Sequence, residues 1–222
     1  NARPITPEDM PPLLAVSVKT SITRAGPTLI RIGLSDGALF SFNIFYLPVL
    51  FQGEDYFFPG KEISAEEKAA LDFAAGSYRA ERAALRLVAR AEQTRAGLSV
   101  KLEKRGHATV HARAAVSYLV ELNIVDDLRF AGGWIRSRLR RGTDSPLGLV
   151  SGLCRRGIDP RVAREACKRA LDLETEMDLL GKFIAKKRPG LDGEGSDASF
   201  FRALLKREGF SPAALERRRD EG

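Results

Sequence analysis

Few residues in this chain have the chemistry of nucleophiles, general bases or metal ligands. The only histidines are His107 and His111, and the only cysteines are Cys154 and Cys167. A spacing of four could place both histidines on one helix face, but no third ligand follows at a spacing typical of a metal site. Nucleophilic catalysis also needs a base beside the nucleophile. We therefore interpret these four residues as structural and predict a protein that is not an enzyme and has no cofactor or metal.

Two further signatures of catalysis have simpler structural explanations. Asp126 and Asp127 precede a helical pattern, where acidic side chains cap the first turn. The glycines fall at turns or within helices and not in the spacing of a phosphate-binding loop. Neither feature predicts a small-molecule substrate.

The basic residues, by contrast, form a pattern along two predicted helices. Wound as a helix, residues 127–141 place four apolar side chains on one broad face: Phe130, Ala131, Trp134 and Ile135. Three arginines lie within about 40° of one another on the opposite face: Arg129, Arg136 and Arg140. Residues 160–174 behave alike and present three cations outward: Arg161, Arg164 and Lys168. These six residues are the first candidates for contact with an anionic partner.

Other basic residues are open to more than one interpretation. A second set of candidate contacts lies near predicted helix ends: Lys104, Arg105, Arg155 and Arg156. The negative end of the helix dipole also explains Arg155 and Arg156, and that role can coexist with binding. Arg138 falls instead on the apolar side of its helix, where an unpaired guanidinium would be costly. We expect Arg138 to pair with a carboxylate across a repeat boundary.

The charge of the chain is unevenly distributed. The 222 residues carry 36 Lys and Arg against 29 Asp and Glu, a formal charge of +7. Residues 1–76 hold 6 basic and 9 acidic residues, whereas residues 129–169 hold 11 basic and 3 acidic residues. A basic region of that density favours a polyanionic partner or an acidic protein groove. A solvated surface on an Arg-rich protein is the alternative that composition leaves open.

The elements that must position these residues are of two kinds. Residues 13–23 and 28–43 alternate apolar and polar residues, and Asp36-Gly37 sits between two alternating runs as a hairpin turn would. Residues 1–62 are therefore predicted to be a small antiparallel β element behind a loose leader. Ser64 and Glu67 have the spacing of a capping box. From there the pattern is helical to the end of the chain.

The helical part repeats itself about every 50 residues. The segments that end at Gly106, Gly157 and Gly209 align, with the glycines 51 and 52 residues apart. Such a period is typical of stacked supersecondary units. We predict three-helix repeats over residues 63–126, 127–174 and 175–222, the last one short with a frayed end. The fold class is thus mainly α, with tandem three-helix repeats after a small antiparallel β element. Six residues are expected to hold this fold: Phe130, Trp134, Leu102, Leu153, Gly106 and Gly157.

Several of these segments resemble one bacterial family. Residues 125–131, followed by Trp134-Ile135-Arg136-Ser137-Arg138 and Arg141-Gly142, resemble the central signature of the regulatory protein RecX family. Residues 94–106 and 153–159 fit the same family in order and spacing. Ser145, where the family usually has glycine, departs from the pattern. So do four positions where relatives are more basic: Leu147, Gly148, Leu149 and Gly152.

The resemblance implies a cytoplasmic, non-enzymatic protein that binds the RecA recombinase nucleoprotein filament. It implies inhibition or modulation of that filament in recombination, DNA repair and the SOS response. Single- or double-stranded DNA is a further candidate partner. A membrane-spanning protein is excluded, because no window approaches the roughly 20 apolar residues that a membrane helix needs.

Two other functions remain open from the sequence. The first is a helical DNA-binding protein, a transcription regulator, which would need base-reading side chains on one recognition helix. The arginines on several helices, with little Asn or Gln, favour contact with phosphates or protein over base reading. The second is a helical scaffold with an Arg-rich surface and no anionic partner.

Overall fold

The computed structural model describes residues 12–21, 29–53, 55–140, 142, 144–187 and 197–221. The predicted leader, residues 1–12, therefore lies outside the described residues apart from Pro12. Within those ranges the chain begins with a small sheet and continues as helices, so the predicted fold class is confirmed. None of the described helices is both long enough and apolar enough to cross a bilayer.

Three antiparallel strands form the sheet in the order β1-β2-β3: β1 Ala15–Ser21, β2 Leu29–Leu34 and β3 Leu39–Asn43. The turn between β2 and β3 contains Gly37 at φ 86°, a conformation that glycine adopts without strain. The hairpin predicted from Asp36-Gly37 is therefore confirmed. Two short 3-10 turns follow, at Ile44–Tyr46 and Val49–Phe51.

The described residues contain nine α-helices: α1 Ala65–Val88, α2 Arg95–Glu103, α3 Thr109–Glu121, α4 Asp127–Leu139, α5 Pro146–Cys154, α6 Pro160–Ala170, α7 Leu173–Lys187, α8 Asp197–Arg207 and α9 Pro212–Glu221. Their starts follow the local sequence. Ser64 and Glu67 form the predicted capping box, and Asp159 and Ser211 accept hydrogen bonds from the first turns of α6 and α9. Helix α3 is preceded by Ala108, whose side chain offers no cap.

The glycine at the end of each repeated segment has the predicted left-handed conformation. The φ angles are 85° at Gly106, 77° at Gly157 and 87° at Gly209. Each glycine lies between two helices, where a side chain would strain the backbone. Helix α9 continues past Leu215 to Glu221, the stretch for which the sequence predicted fraying.

The chain divides into two compact units. Unit 1 comprises Asn1–Arg90 and Ser99–Leu122, and unit 2 comprises Ala91–Leu98 and Asn123–Gly222. The sequence-based division at residues 62, 126 and 174 follows the repeats instead and stays a prediction. In unit 1 the sheet shares one core with α1, so the β element is packed onto the first helices.

The cores of the two units are built from different elements. In unit 1, Ile32 and Phe42 of the sheet and Leu71 of α1 are fully buried in one cluster. In unit 2, α4 packs against α5 and α6, and α7 packs against α9. Ile135 and Leu153 are fully buried in the unit 2 core. Apolar burial of this kind is the main favourable term in folding.

A candidate anion-binding surface on unit 2

Helix α4 begins at a well-defined cap and separates its faces as predicted. The Asp126 carboxylate caps it by accepting hydrogen bonds from the backbone N–H groups of Leu128 at 2.8 Å and Arg129 at 3.1 Å. Asp127 instead accepts from the backbone N–H of Arg95, at the start of α2. Ala131 and Ile135 are fully buried, whereas Arg136 and Arg140 are exposed. Because Ala131 and Ile135 lie in the core, helical periodicity directs the two arginines to solvent.

Arg129 is exposed too, but its guanidinium is already engaged. Nε donates to Glu92 at 2.7 Å, and the two terminal nitrogens donate to the carbonyls of Asn123 at 3.0 Å and Ile124 at 2.8 Å. Asn123 has φ 55°, the left-handed conformation, in the turn that leads into α4. Arg129 thus holds this turn, and its availability to a partner is lower than that of Arg136.

Helix α6 presents its predicted cations to solvent. Ala163, Ala166 and Cys167 are buried in the unit 2 core. Three cations lie on the exposed side: Arg161, Arg164 and Lys168. In the described part of the chain, none of these three forms an ion pair. Their charge is therefore available to an anionic partner.

A groove between α4 and α6 brings cations of both helices together. Arg129 and Arg136 of α4 and Arg169 of α6 line it, beside Gly132. Arg169 was not among the sequence-based candidates. It donates to Glu165 at 2.6 Å, one turn earlier in the same helix. Its position directly after Lys168 on a basic helix was the signal that could have identified it.

The second set of candidates lies at helix ends, and two of its members bond to the backbone there. The Arg105 guanidinium donates to the carbonyl of Lys101 at 3.1 Å, and that of Arg156 donates to Gly152 at 2.8 Å. Both satisfy carbonyls in the last turn of a helix. Lys104 and Arg155 are exposed at the same two ends.

Trp134 is the centre of a cluster that joins α4 to α5. The Arg156 guanidinium lies 4.7 Å from the centre of the Trp134 ring, and that of Arg138 lies 5.6 Å away. A Cβ on Gly152 would stand 2.5 Å from the ring, so glycine is what allows the indole to approach α5. Arg156 and Trp134 therefore support the packing of these two helices.

The prediction that Arg138 pairs across a repeat boundary was wrong. Arg138 does pair with a carboxylate, but the partner is Asp144, six residues later in the same predicted repeat and not across a repeat boundary. Nε donates to Asp144 at 2.6 Å and Nη2 donates at 3.0 Å, which is a bidentate pair. Asp144 directly precedes Ser145, the cap of α5, so this pair links the last turn of α4 to the start of α5.

The four residues with catalytic chemistry do not form a site. His111 packs beside Gly76, and its Nδ1 lies 3.3 Å from the Ser77 hydroxyl. Burial, with help from the positive charge of Arg79, lowers the pKa of His107 and of His111. Cys154 is half-buried and Cys167 is buried. Burial raises the pKa of the Cys167 thiol to about 11, which keeps it protonated at neutral pH. The described residues contain no cluster of three or more potential metal ligands.

Comparison with known proteins shows which family this chain resembles. A family model described as "RecX, second three-helix domain" matches residues 126–166, which run from the cap of α4 into α6. The regulatory protein RecX of Treponema pallidum subsp. pallidum is 30% identical over 158 residues, covering 71% of this chain and 94% of the relative. The chain belongs to the RecX family. The resemblance read from the sequence is thereby confirmed.

Other members agree with this assignment. The regulatory protein RecX of Halorhodospira halophila is 32% identical over 131 residues, covering 58% of this chain and 79% of the relative. A crystal structure of regulatory protein RecX shares the fold with a TM-score of 0.62, at 18% identity, over 94% of this chain and 99% of that one. RecX from Lactobacillus salivarius gives a TM-score of 0.52 at 19% identity, over 66% and 96% of the two chains. The exposed cations of α4 and α6 lie almost entirely within the segment that matches the RecX domain model.

Proposed function

We propose that this RecX-family chain is a non-enzymatic cytoplasmic regulator that binds the RecA nucleoprotein filament. Binding inhibits or modulates the filament in recombination, DNA repair and the SOS response. The observation that carries the proposal is the outward display of cations on α4 and α6, within the family's second three-helix domain.

The distribution of charge supports a filament over a small ligand. Arg136, Arg140, Arg161, Arg164 and Lys168 are exposed on two helices of one unit and form no ion pair with any described residue. A protein filament on DNA offers both phosphates and acidic side chains over a long groove. Several separated cations suit such an extended anionic surface better than they suit one enclosed site.

A functional assay with RecA on single-stranded DNA tests the proposal. Purified chain is added to preformed filaments, and ATP hydrolysis or strand exchange is followed as its concentration rises. We expect inhibition at concentrations well below that of RecA. Inhibition only at concentrations that coat the DNA would indicate a generic DNA-binding protein, and no effect at all would contradict both functions.

Charge reversal on α4 tests the contact face. The variant Arg129→Glu/Arg136→Glu/Arg140→Glu is expected to abolish inhibition while the far-ultraviolet circular dichroism stays helical. Because Arg129 also holds the turn before α4, the double variant Arg136→Glu/Arg140→Glu is compared with Arg129→Glu alone. Full inhibition by the double variant would remove α4 from the proposed interface.

A further inference from the structure

A second groove on unit 2 has a character different from that of the α4–α6 groove. It lies along α5 and α6, has a volume of about 400 Å³, and is bordered by the starts of α7 and α9. Its apolar lining includes Leu147, Val150 and Leu171, and the cations Arg164 and Lys168 line its α6 side. This volume is in the range of clefts that bind ligands or partner side chains.

Helix α5 supplies an apolar wall without charge. Its sequence from Pro146 to Cys154 contains no acidic or basic residue. Leu147 nevertheless exposes 49% of its surface, and Val150 is only half-buried beside it. A helix wall of this composition has nothing to offer a phosphate, but it can bury apolar side chains of a partner.

The wall is held in place before any partner arrives. Ser145 caps α5 by accepting a hydrogen bond from Gly148, and its hydroxyl donates to Glu208 at 2.6 Å. The backbone N–H of Leu147 donates to the Glu208 carbonyl at 3.0 Å. Because both bonds tie the start of α5 to the turn before α9, the groove needs little ordering on binding.

The groove is lined by two cations and one carboxylate, so its net charge is positive. Neither Arg164 nor Lys168 forms an ion pair within the part of the chain that the structure describes. Glu176 also lines the groove, but its two oxygens accept hydrogen bonds from the backbone N–H and the hydroxyl of Ser211. Arg164 and Lys168 therefore line the α6 side of the groove, and neither is ion-paired with a described carboxylate.

We propose that this groove binds an acidic amphipathic segment of the filament protein. Apolar side chains of that segment lie on Leu147, Val150 and Leu171, and its carboxylates meet Arg164 and Lys168. Charge complementarity and the uncharged wall together favour a protein segment over a nucleic acid strand. The identity of the partner rests on the proposed function, whereas the chemistry of the segment follows from the groove.

The test measures the affinity of each variant for RecA filaments on single-stranded DNA, at low and at high salt. Leu147→Gln is expected to weaken binding about tenfold at both salt concentrations, since burying a leucine is an apolar effect. Leu147→Met should keep near wild-type affinity. Arg164→Glu/Lys168→Glu should weaken binding by at least about tenfold at low salt and by less at high salt.

Matched controls come from the same unit. Leu173→Gln changes another exposed leucine, which does not line the groove. Arg202→Glu/Lys206→Glu reverses an Arg and a Lys at the same four-residue spacing on α8. Both controls should bind like the wild type, and the circular dichroism of every variant should match.

Each other outcome would overturn the groove proposal. If only the charge reversal weakens binding, the groove takes phosphate, and if Leu147→Gln dissociates a dimer of the free chain, it takes a second copy. If no groove variant differs from the wild type while the wild type binds, the groove is unused and the proposed function stands. If the wild type itself does not bind the filament, the proposed function fails together with the groove.

Discussion

Unit 1 buries two bonded carboxylates in its core, whereas the proposed contact residues of unit 2 are exposed cations. In unit 1, Glu67 and Glu81 are buried and bonded to neighbours, Glu67 to Lys61 and Tyr56 and Glu81 to Tyr46. In unit 2, cations such as Arg136 and Lys168 extend into solvent from helices whose other faces form the core. The buried carboxylates of unit 1 are bonded within its core, whereas the exposed cations of unit 2 are the proposed contacts with an anionic partner. Substitutions of these residues should therefore change the free energy of unfolding in unit 1 and the affinity for the filament in unit 2.

The largest expected effect comes from reversing the α6 cations. Arg161→Glu/Arg164→Glu/Lys168→Glu should lower the affinity for RecA filaments roughly a hundredfold, since three reversals place like charges together at a cost on the order of 3 kcal/mol. The midpoint of thermal unfolding should change little, because these side chains are exposed. Filament binding and thermal melts of the same preparations measure the two quantities.

A charge-matched control lies in unit 1. Arg79→Glu/Arg82→Glu/Arg86→Glu reverses three exposed arginines of α1 and changes the net charge by the same amount. We expect near wild-type filament affinity for it. Equal losses in both triple variants would show that net charge alone drives binding, and the contrast between the units would disappear.

The next largest effect is on the stability of unit 1. Glu67 accepts from the Ser64 backbone N–H at 2.8 Å and from the Tyr56 hydroxyl at 2.7 Å, and it pairs with Lys61 at 2.9 Å. Glu67→Gln should lower the free energy of unfolding by about 2 kcal/mol, because bonds to a buried charge are lost. Urea unfolding measures this loss. Glu66→Gln changes an exposed side chain one residue away, and its effect on the free energy of unfolding should be only a few tenths of that loss.

The same carboxylate predicts a pH dependence. Burial alone would raise the pKa of Glu67, but Lys61, Ser64 and Tyr56 outweigh it and lower the pKa to about 2, from an ordinary value of 4.5. A carboxyl group with a lowered folded-state pKa stabilises the fold above its unfolded-state value, and this stability is lost as the pH falls. The difference in free energy of unfolding between wild type and Glu67→Gln should therefore be largest above about pH 4.5 and decrease toward pH 2. A gap that widens on acidification would contradict this sign.

Local signals in the sequence predicted much of the fold because their causes are local. The Asp36-Gly37 turn, the Ser64 capping box and the glycine ends of the repeats depend on residues only a few positions apart. The faces of α4 and α6 follow from helical periodicity alone. Such features can be read from one chain without knowing its path.

The partners of individual arginines could not be read in the same way. Arg129 meets Glu92, which is 37 residues earlier, and no periodic pattern relates the two. Arg138 pairs with Asp144, six residues later, whereas the sequence pointed to a partner across a repeat boundary. The α5–α6 groove likewise depends on how these two helices pack with the starts of α7 and α9. These contacts are determined by tertiary packing. Amino-acid composition shows how many charged residues there are but not which of them pair.

The smallest expected effect tests whether unit 2 also uses charge for stability. Arg138 and Asp144 form a bidentate pair, with side chains 35% and 24% exposed. Arg138→Lys keeps the charge but loses the two parallel bonds, so unfolding free energy should fall by about 1 kcal/mol. Urea unfolding of Arg138→Lys, Asp144→Asn and the double variant gives the coupling between the two residues. Filament affinity should stay unchanged, because Arg138 and Asp144 pair with each other and are not among the proposed contacts. A coupling energy near zero would show that the pair does not stabilise unit 2. A clear loss of filament affinity in Arg138→Lys would instead place Arg138 with the exposed cations.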